Sequence, residues 1–387
     1  MQRWIRWREM HEVCKSLHQR EKWKMQKYVP IKLFVKVSTK SFFFSVRGEK
    51  ILVVNGWADG NGQSTEIIDL EDSGFSCILP KKFPTQLEFA TGGLVSQKPF
   101  VCGGDATNEG RPPIQDCYTL KEEGSWKKDK ESILSTGRHF ARSVVMNDEL
   151  VIVGGKTGWP WGGKILTTIE VAKPNKAPRT LSGIELPVDT YTSCIVPWDA
   201  NTFMVIGGNP TRETYAHNYH DSSKRTYFVD MTDNTVTDGP DLINARFRHA
   251  CSEMTVKGEK FIIVTGGLGL GGSGGMPSKT STEYLSKSNY DLNSESNGGW
   301  QVGTDLPVPI FDHQMVSSPD NQYVYTIGTA GWCNSVRCNT KEIYKYSCNG
   351  RIIDCEWTKI ETQLKYGRTG HVAFAIPNFL ANKLCKK

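Results

Sequence analysis

FIIVTGG at residues 261–267 decides the fold, because it does not stand alone. The same hydrophobic run ending in a glycine doublet occurs as FVCGG at 100–104, LVIVGG at 150–155 and FMVIGG at 203–208, and in weaker form as ILVVNG at 51–56 and YVYTIGT at 323–329. The six copies follow one another at intervals of roughly fifty residues. A period of that size means that one small sheet is repeated, since a single unit cannot cover its own apolar faces and must stack on a neighbour. The β-branched runs read as buried strands, and the glycines mark points where the backbone takes positive φ or is closely approached.

Working outward, the flanks recur as well. An Arg and a His, or an Asp and a His, precede a first strand at Arg138 and His139, Arg246 and His249, Asp312 and His313, and Arg368 and His371, so that the four His fall at matching places. After each glycine pair comes a short strand with an acidic residue, holding Glu66, Asp116, Glu170, Asp230, Glu283 and Glu342 in turn. A fourth strand carries Trp126, Trp300 or Trp357. Four strands per unit make a propeller blade.

Together these residues resemble the kelch repeat, over residues 42–377. The resemblance implies an all-β, six-bladed kelch-type β-propeller with four antiparallel strands per blade, spanning 41–378. Its structural glycines would be Gly56, Gly103, Gly104, Gly154, Gly155, Gly207, Gly208, Gly266, Gly267 and Gly328, and Trp126, Trp300 and Trp357 would fill the space between blades. Departures from the pattern are Asn55 for the first glycine of blade one, Thr329 for the second of blade six, and the missing Trp of blades one, three and four. The ring must close to leave no open edge. Val372–Ile376 is preferred for the innermost strand of blade one, with Phe42–Val46 as the competitor.

Residues 1–40 form a basic extension with eleven Lys or Arg against three Glu, so the formal charge of +6 belongs to this segment and leaves the rest slightly acidic. Tryptophans interleaved with Arg3, Arg6 and Arg8 fit a basic amphipathic helix for an anionic surface, but a solvated leader, disordered or partly helical, is the preferred reading. Charges interrupt every stretch where the apolar core of a signal peptide would sit. Residues 379–387 are expected to be a C-terminal tail. No run reaches transmembrane length, and the propeller itself offers no basic patch for nucleic acid.

Nine of the eleven cysteines fall in the repeats. Cys102 and Cys117 are expected to face each other across antiparallel strands, Cys348 and Cys355 flank an Asn-Gly turn, and Cys333 and Cys338 close a small loop. Disulfides are the preferred reading over unpaired thiols and over zinc, whose usual knuckle spacing neither of the last two pairs matches. Bridges point to an oxidising, extracellular setting, with the cytoplasm as the alternative because no signal peptide is visible.

Several features imitate catalytic sites. Gly267-Leu-Gly-Leu-Gly-Gly272 matches a dinucleotide fingerprint, but the glycine- and proline-containing residues that follow cannot open the required helix, so it reads as a loop of blade five. The recurring His residues are expected to tie blades together through backbone rather than to hold a metal. The same architecture houses copper radical oxidases, yet no set of two Tyr, two His and a Cys is assignable, and no cofactor is expected. His217, His220 and Asp221 read as a solvated connection.

The positive signal is on the surface. Trp57, Trp159, Trp161 and Trp332 lie in loops that follow the glycines, with Arg212, Asp59, Lys156 and Lys164 beside them, and equivalent loops of a propeller emerge on one rim. Each Trp either joins that rim or folds back over its own loop. The expected function is a monomeric, non-enzymatic scaffold that binds a protein partner of unknown identity. An enzyme at the channel mouth, a copper oxidase or a sugar-acting isomerase, is the alternative.

Overall fold

Short hydrophobic runs bounded by glycines and two-residue turns build six separate four-stranded antiparallel sheets. The computed structural model describes residues 48–58, 60–106, 113–158, 163–187, 191–209, 222–269, 277–290, 298–333 and 336–386, with backbone alone for 48–49, 332–333 and 336–338. From the innermost strand outward, blade 2 consists of Thr91–Val95, Lys98–Cys102, Asp116–Leu120 and Trp126–Ile133, and blade 3 of Arg142–Met146, Glu149–Val153, Ile169–Lys173 and Lys176–Thr180. Blade 4 holds Cys194–Pro197, Thr202–Ile206, Thr226–Asp230 and Thr235–Asp238, and blade 5 holds Ala250–Val256, Glu259–Thr265, Thr282–Ser286 and Gln301–Val302. Blade 6 is formed by Gln314–Ser317, Val324–Ile327, Tyr344–Cys348 and Cys355–Lys359.

Blade 1 takes its innermost strand from the far end of the chain. Val372–Pro377 pairs antiparallel with Gly48–Val54, in the register Val372 to Val54 and Ile376 to Lys50, followed by Thr65–Asp69 and Ser76–Ile78. The preferred closure is the one found, and it pairs the edges that an open ring would leave exposed. The segment expected as a tail is a helix, α1 (Asn378–Cys385). Leu380, Ala381 and Leu384 bury against Leu52, Ile67 and Phe83, and Cys385 is bridged to Cys77 on the outermost strand of blade 1.

The glycine doublet has a specific cause. Gly266 and Gly267 have φ of 66° and 91°, and a Cβ on Gly266 would lie 2.8 Å from His313 Cε1 of the next blade, while one on Gly267 would lie 2.8 Å from His249 Cβ of its own blade. One glycine therefore admits the neighbour and the other the inner strand. Asn55 replaces the first glycine of blade 1 at φ 61°, a conformation Asn tolerates, where the following blade has Ala90 rather than His.

Buried polar groups lock the blades together. Arg246 is fully buried: its Nη1 donates to Gly266 O and Ser281 O, and its Nη2 to Ser281 Oγ and to Glu283 at 2.6 Å. Its own carbonyl accepts from Gly208 N of blade 4, so one residue couples two blades. Arg138 with Glu170 repeats the arrangement between blades 2 and 3, and Arg368, 3.6 Å from Glu66, repeats it at the closure. Outside this ring the indoles act alike: Trp126 Nε1 donates to Thr65 Oγ1, Trp300 to Pro240 O and Trp357 to Thr282 Oγ1, each reaching the preceding blade. Arg246→Met strands the Glu283 carboxylate in the interior and is expected to cost about 3–5 kcal/mol by urea denaturation, most of it recovered by adding Glu283→Leu. A variant as stable as the wild type contradicts this account.

Candidate binding face and central channel

The residue that enters each innermost strand adopts a left-handed backbone: Phe89, Phe140, Thr192, Arg248, Asp312 and Gly370 have φ between 53° and 61°. Their amides form a ring around the channel. Phe89 N donates to Gly370 O, Phe140 N to Phe89 O, Thr192 N to Phe140 O, Arg248 N to Thr192 O and Asp312 N to Arg248 O, at 2.7–3.1 Å. Thr369 Oγ1 meets Asp312 O at 3.5 Å on the remaining arc.

Five of these residues have side chains, and four of those converge. Phe89 and Phe140 stack with ring centroids 3.8 Å apart, and the Arg248 guanidinium lies 5.6 Å and 5.1 Å from the two rings while Nη1 pairs with Asp312 at 3.0 Å. Arg248 thus spans from blade 5 to the rings of blades 2 and 3 and plugs the mouth.

Antiparallel order puts the end of each second strand on the plugged side, so the long connections to the third strands, Trp57–Ser64, Lys156–Thr168 and Leu268–Ser281 among them, all leave that face. The opposite face carries tight turns such as Asn147-Asp148 and Lys257-Gly258, with all four residues at positive φ. Trp57 sits where the long connection starts: its N donates to Thr369 O and its O accepts from Thr369 N. At 39% exposure its ring is on the surface, and Asn339 Nδ2 of the blade-6 hairpin donates to Trp57 O at 3.1 Å. That hairpin pairs Thr329–Cys333, which holds Trp332, with Val336–Thr340. Trp159, Trp161 and Arg212, with Asp59, His217, His220 and Asp221, lie outside the described residues, as do the side chains of Trp332, Cys333 and Cys338.

Beneath the plug the six innermost strands enclose a cavity of about 410 Å³. Its wall includes Arg142, Gln314, Ser143, Ser317, Phe374 and Val145, and none of the described lining residues is acidic. Arg142 Nε donates to Ser193 O at 3.0 Å. Burial lowers the Arg142 pKa from the usual arginine value, with Arg248 acting in the same direction and Asp312 opposing.

The histidines correct the sequence reading in two respects: His313, expected to tie its blade through backbone, makes no hydrogen bond at either ring nitrogen among the described residues, and His139 is out of step with the other three. His249, His313 and His371 follow the left-handed residue of their blades, but His139 precedes Phe140 and so stands two places earlier, with Nε2 3.1 Å from Gly158 O. Burial pushes His139 down to about 4, His313 and His371 to about 3, and His249 well below the ordinary value. All four are therefore neutral imidazoles near neutral pH. Among the described residues no three His, Cys, Asp or Glu side chains form a group able to hold a metal.

Two of the expected disulfides are present, Cys102–Cys117 and Cys348–Cys355, each directly opposed in register. Sequence reasoning missed Cys77–Cys385 and Cys194–Cys251, the second of which joins the innermost strands of blades 4 and 5. It also missed the plug and Arg142, although the residue just before His249, His313 and His371 was there to be compared across repeats. Four bridges indicate an oxidising environment. Among the described residues no helix is long and apolar enough to cross a membrane.

Fold and site together define a six-bladed β-propeller, closed by its C-terminal strand, with a loop-bearing face over a plugged channel. No family model matches the chain, and no curated protein matches it. Among solved structures that resemble it is that of YjhT, with a TM-score of 0.61 at 13% identity, covering 80% of this chain and 94% of that one. At such identity the likeness concerns the fold alone.

Proposed function

We propose that this chain is a kelch-type scaffold that works as a monomer outside the cell, binding a protein partner through the long loops of the plugged face without catalysing a reaction. The observation that carries this reading is the plug. Phe89, Phe140, Arg248 and Asp312 fill the mouth on the side where the long connections emerge, which favours docking across that face over passage of a substrate through it. Exposed Trp57 next to the blade-6 hairpin supplies an aromatic anchor of the type that dominates binding energy. The doublets, with their positive φ and close contacts, support the kelch assignment.

The test is capture of partners from the extracellular medium of the source cells, followed by titration of the purified partner. Trp57→Ala is expected to weaken binding by about thirtyfold, a hot-spot loss, with an unchanged melting temperature. Unchanged affinity in Trp57→Ala and in Trp57→Ala with Trp332→Ala refutes the aromatic face. Stoichiometric copper in the purified protein, with a radical signal, refutes the non-enzymatic reading.

A further inference from the structure

The Arg142 guanidinium lines the channel cavity with only its Nε engaged by described residues, and no described carboxylate stands within ion-pair distance of it. The nearby acid, Asp312, is held by Arg248. Arg142 is part-buried, and a cation withdrawn from bulk water without a counter-charge is costly and is ordinarily paired. The lack of a described carboxylate beside it distinguishes Arg142 from the buried arginines Arg138, Arg246 and Arg368, whose carboxylates are built in.

We propose that the channel cavity is a binding site for a small hydroxylated monocarboxylate, whose carboxylate is gripped by the Arg142 guanidinium. One planar fork matches one carboxylate in charge and shape, and the cavity volume falls in the range of small-molecule sites. Gln314, Ser143 and Ser317 offer hydrogen bonds to ligand hydroxyls, while Val145 and Phe374 cover carbon. The lining continues to Val145, Ser317 and Ala375 towards the far ends of the strands, so the ligand enters from the short-turn face, away from the plug. This site is independent of partner docking on the loop face.

The probe is gluconate, titrated calorimetrically into the full chain, with sorbitol as the neutral counterpart and inorganic phosphate as the competing anion. The expected results are saturable one-to-one binding of gluconate, no binding of sorbitol, and weaker binding of phosphate. Arg142→Gln is expected to lower gluconate affinity by about tenfold or more, and Arg142→Lys, which keeps charge but loses the fork, by less. Because these variants also lose the bond to Ser193, the wild type provides a second measure: its gluconate affinity falls as salt is raised. Absence of saturable gluconate binding, equal binding by Arg142→Gln, equal binding of sorbitol, tighter binding of phosphate, or salt-independent affinity each overturns the proposal.

Discussion

On acidification from about pH 7 to about pH 5 the propeller is expected to lose close to 2 kcal/mol of unfolding free energy for each of His139, His313 and His371. The folded pKa values, about 4 for the first and about 3 for the others, lie below the unfolded value of 6.5. The unfolded chain therefore takes up protons that the folded chain refuses. Stability is complete above the unfolded pKa and declines as pH falls through it toward the folded values. Most carboxylates titrate lower, so this interval isolates the imidazoles. Glu66 opposes in part, because burial raises its pKa and makes its contribution grow with acidity. Urea denaturation at the two pH values checks the slope, and a midpoint independent of pH contradicts the buried neutral state. His313→Phe should be less stable at neutral pH but also less sensitive to acid by about 2 kcal/mol.

The second large effect concerns the closure. Cys77 and Cys385 are separated by 308 residues, so their bridge confines nearly the whole ring in the unfolded state. In the chain-entropy description this contributes about 6 kcal/mol, against about 2 kcal/mol for the Cys348–Cys355 bridge with its separation of 7. Replacing both Cys77 and Cys385 by Ser should therefore destabilise more than twice as much as replacing Cys348 and Cys355. The pair also holds α1 against blade 1, where Leu380 and Leu384 are buried. Chemical denaturation of the two double variants under non-reducing conditions gives the comparison, and equal losses refute a closing role for the long-range bridge.

Local rules account for what could be read early. Gly266 and Gly267 announce a strand end because no other residue fits their φ and contacts, and Cys102 and Cys117 announce a bridge because they are opposed within one hairpin. Even the three indoles are placed, since a large side chain on an outer strand has only the adjacent blade to cover. His139 misled for the opposite reason: adjacency to Arg138 on the chain suggested equivalence with His249, whereas the left-handed residue, not the Arg-His spacing, fixes the place in the blade.

By itself, the sequence determined a repeated four-stranded unit and its number and favoured closure by the last strand and two short-range bridges, because the recurrence of glycine and turn chemistry is written in each repeat. Only the tertiary structure decided that Arg248 reaches rings on blades 2 and 3, that Cys194 joins Cys251 between innermost strands, and that Arg142 faces a cavity without an acid. These are relations across the channel axis among residues from different blades, where the fold of the ring, rather than spacing along the chain, sets the distance.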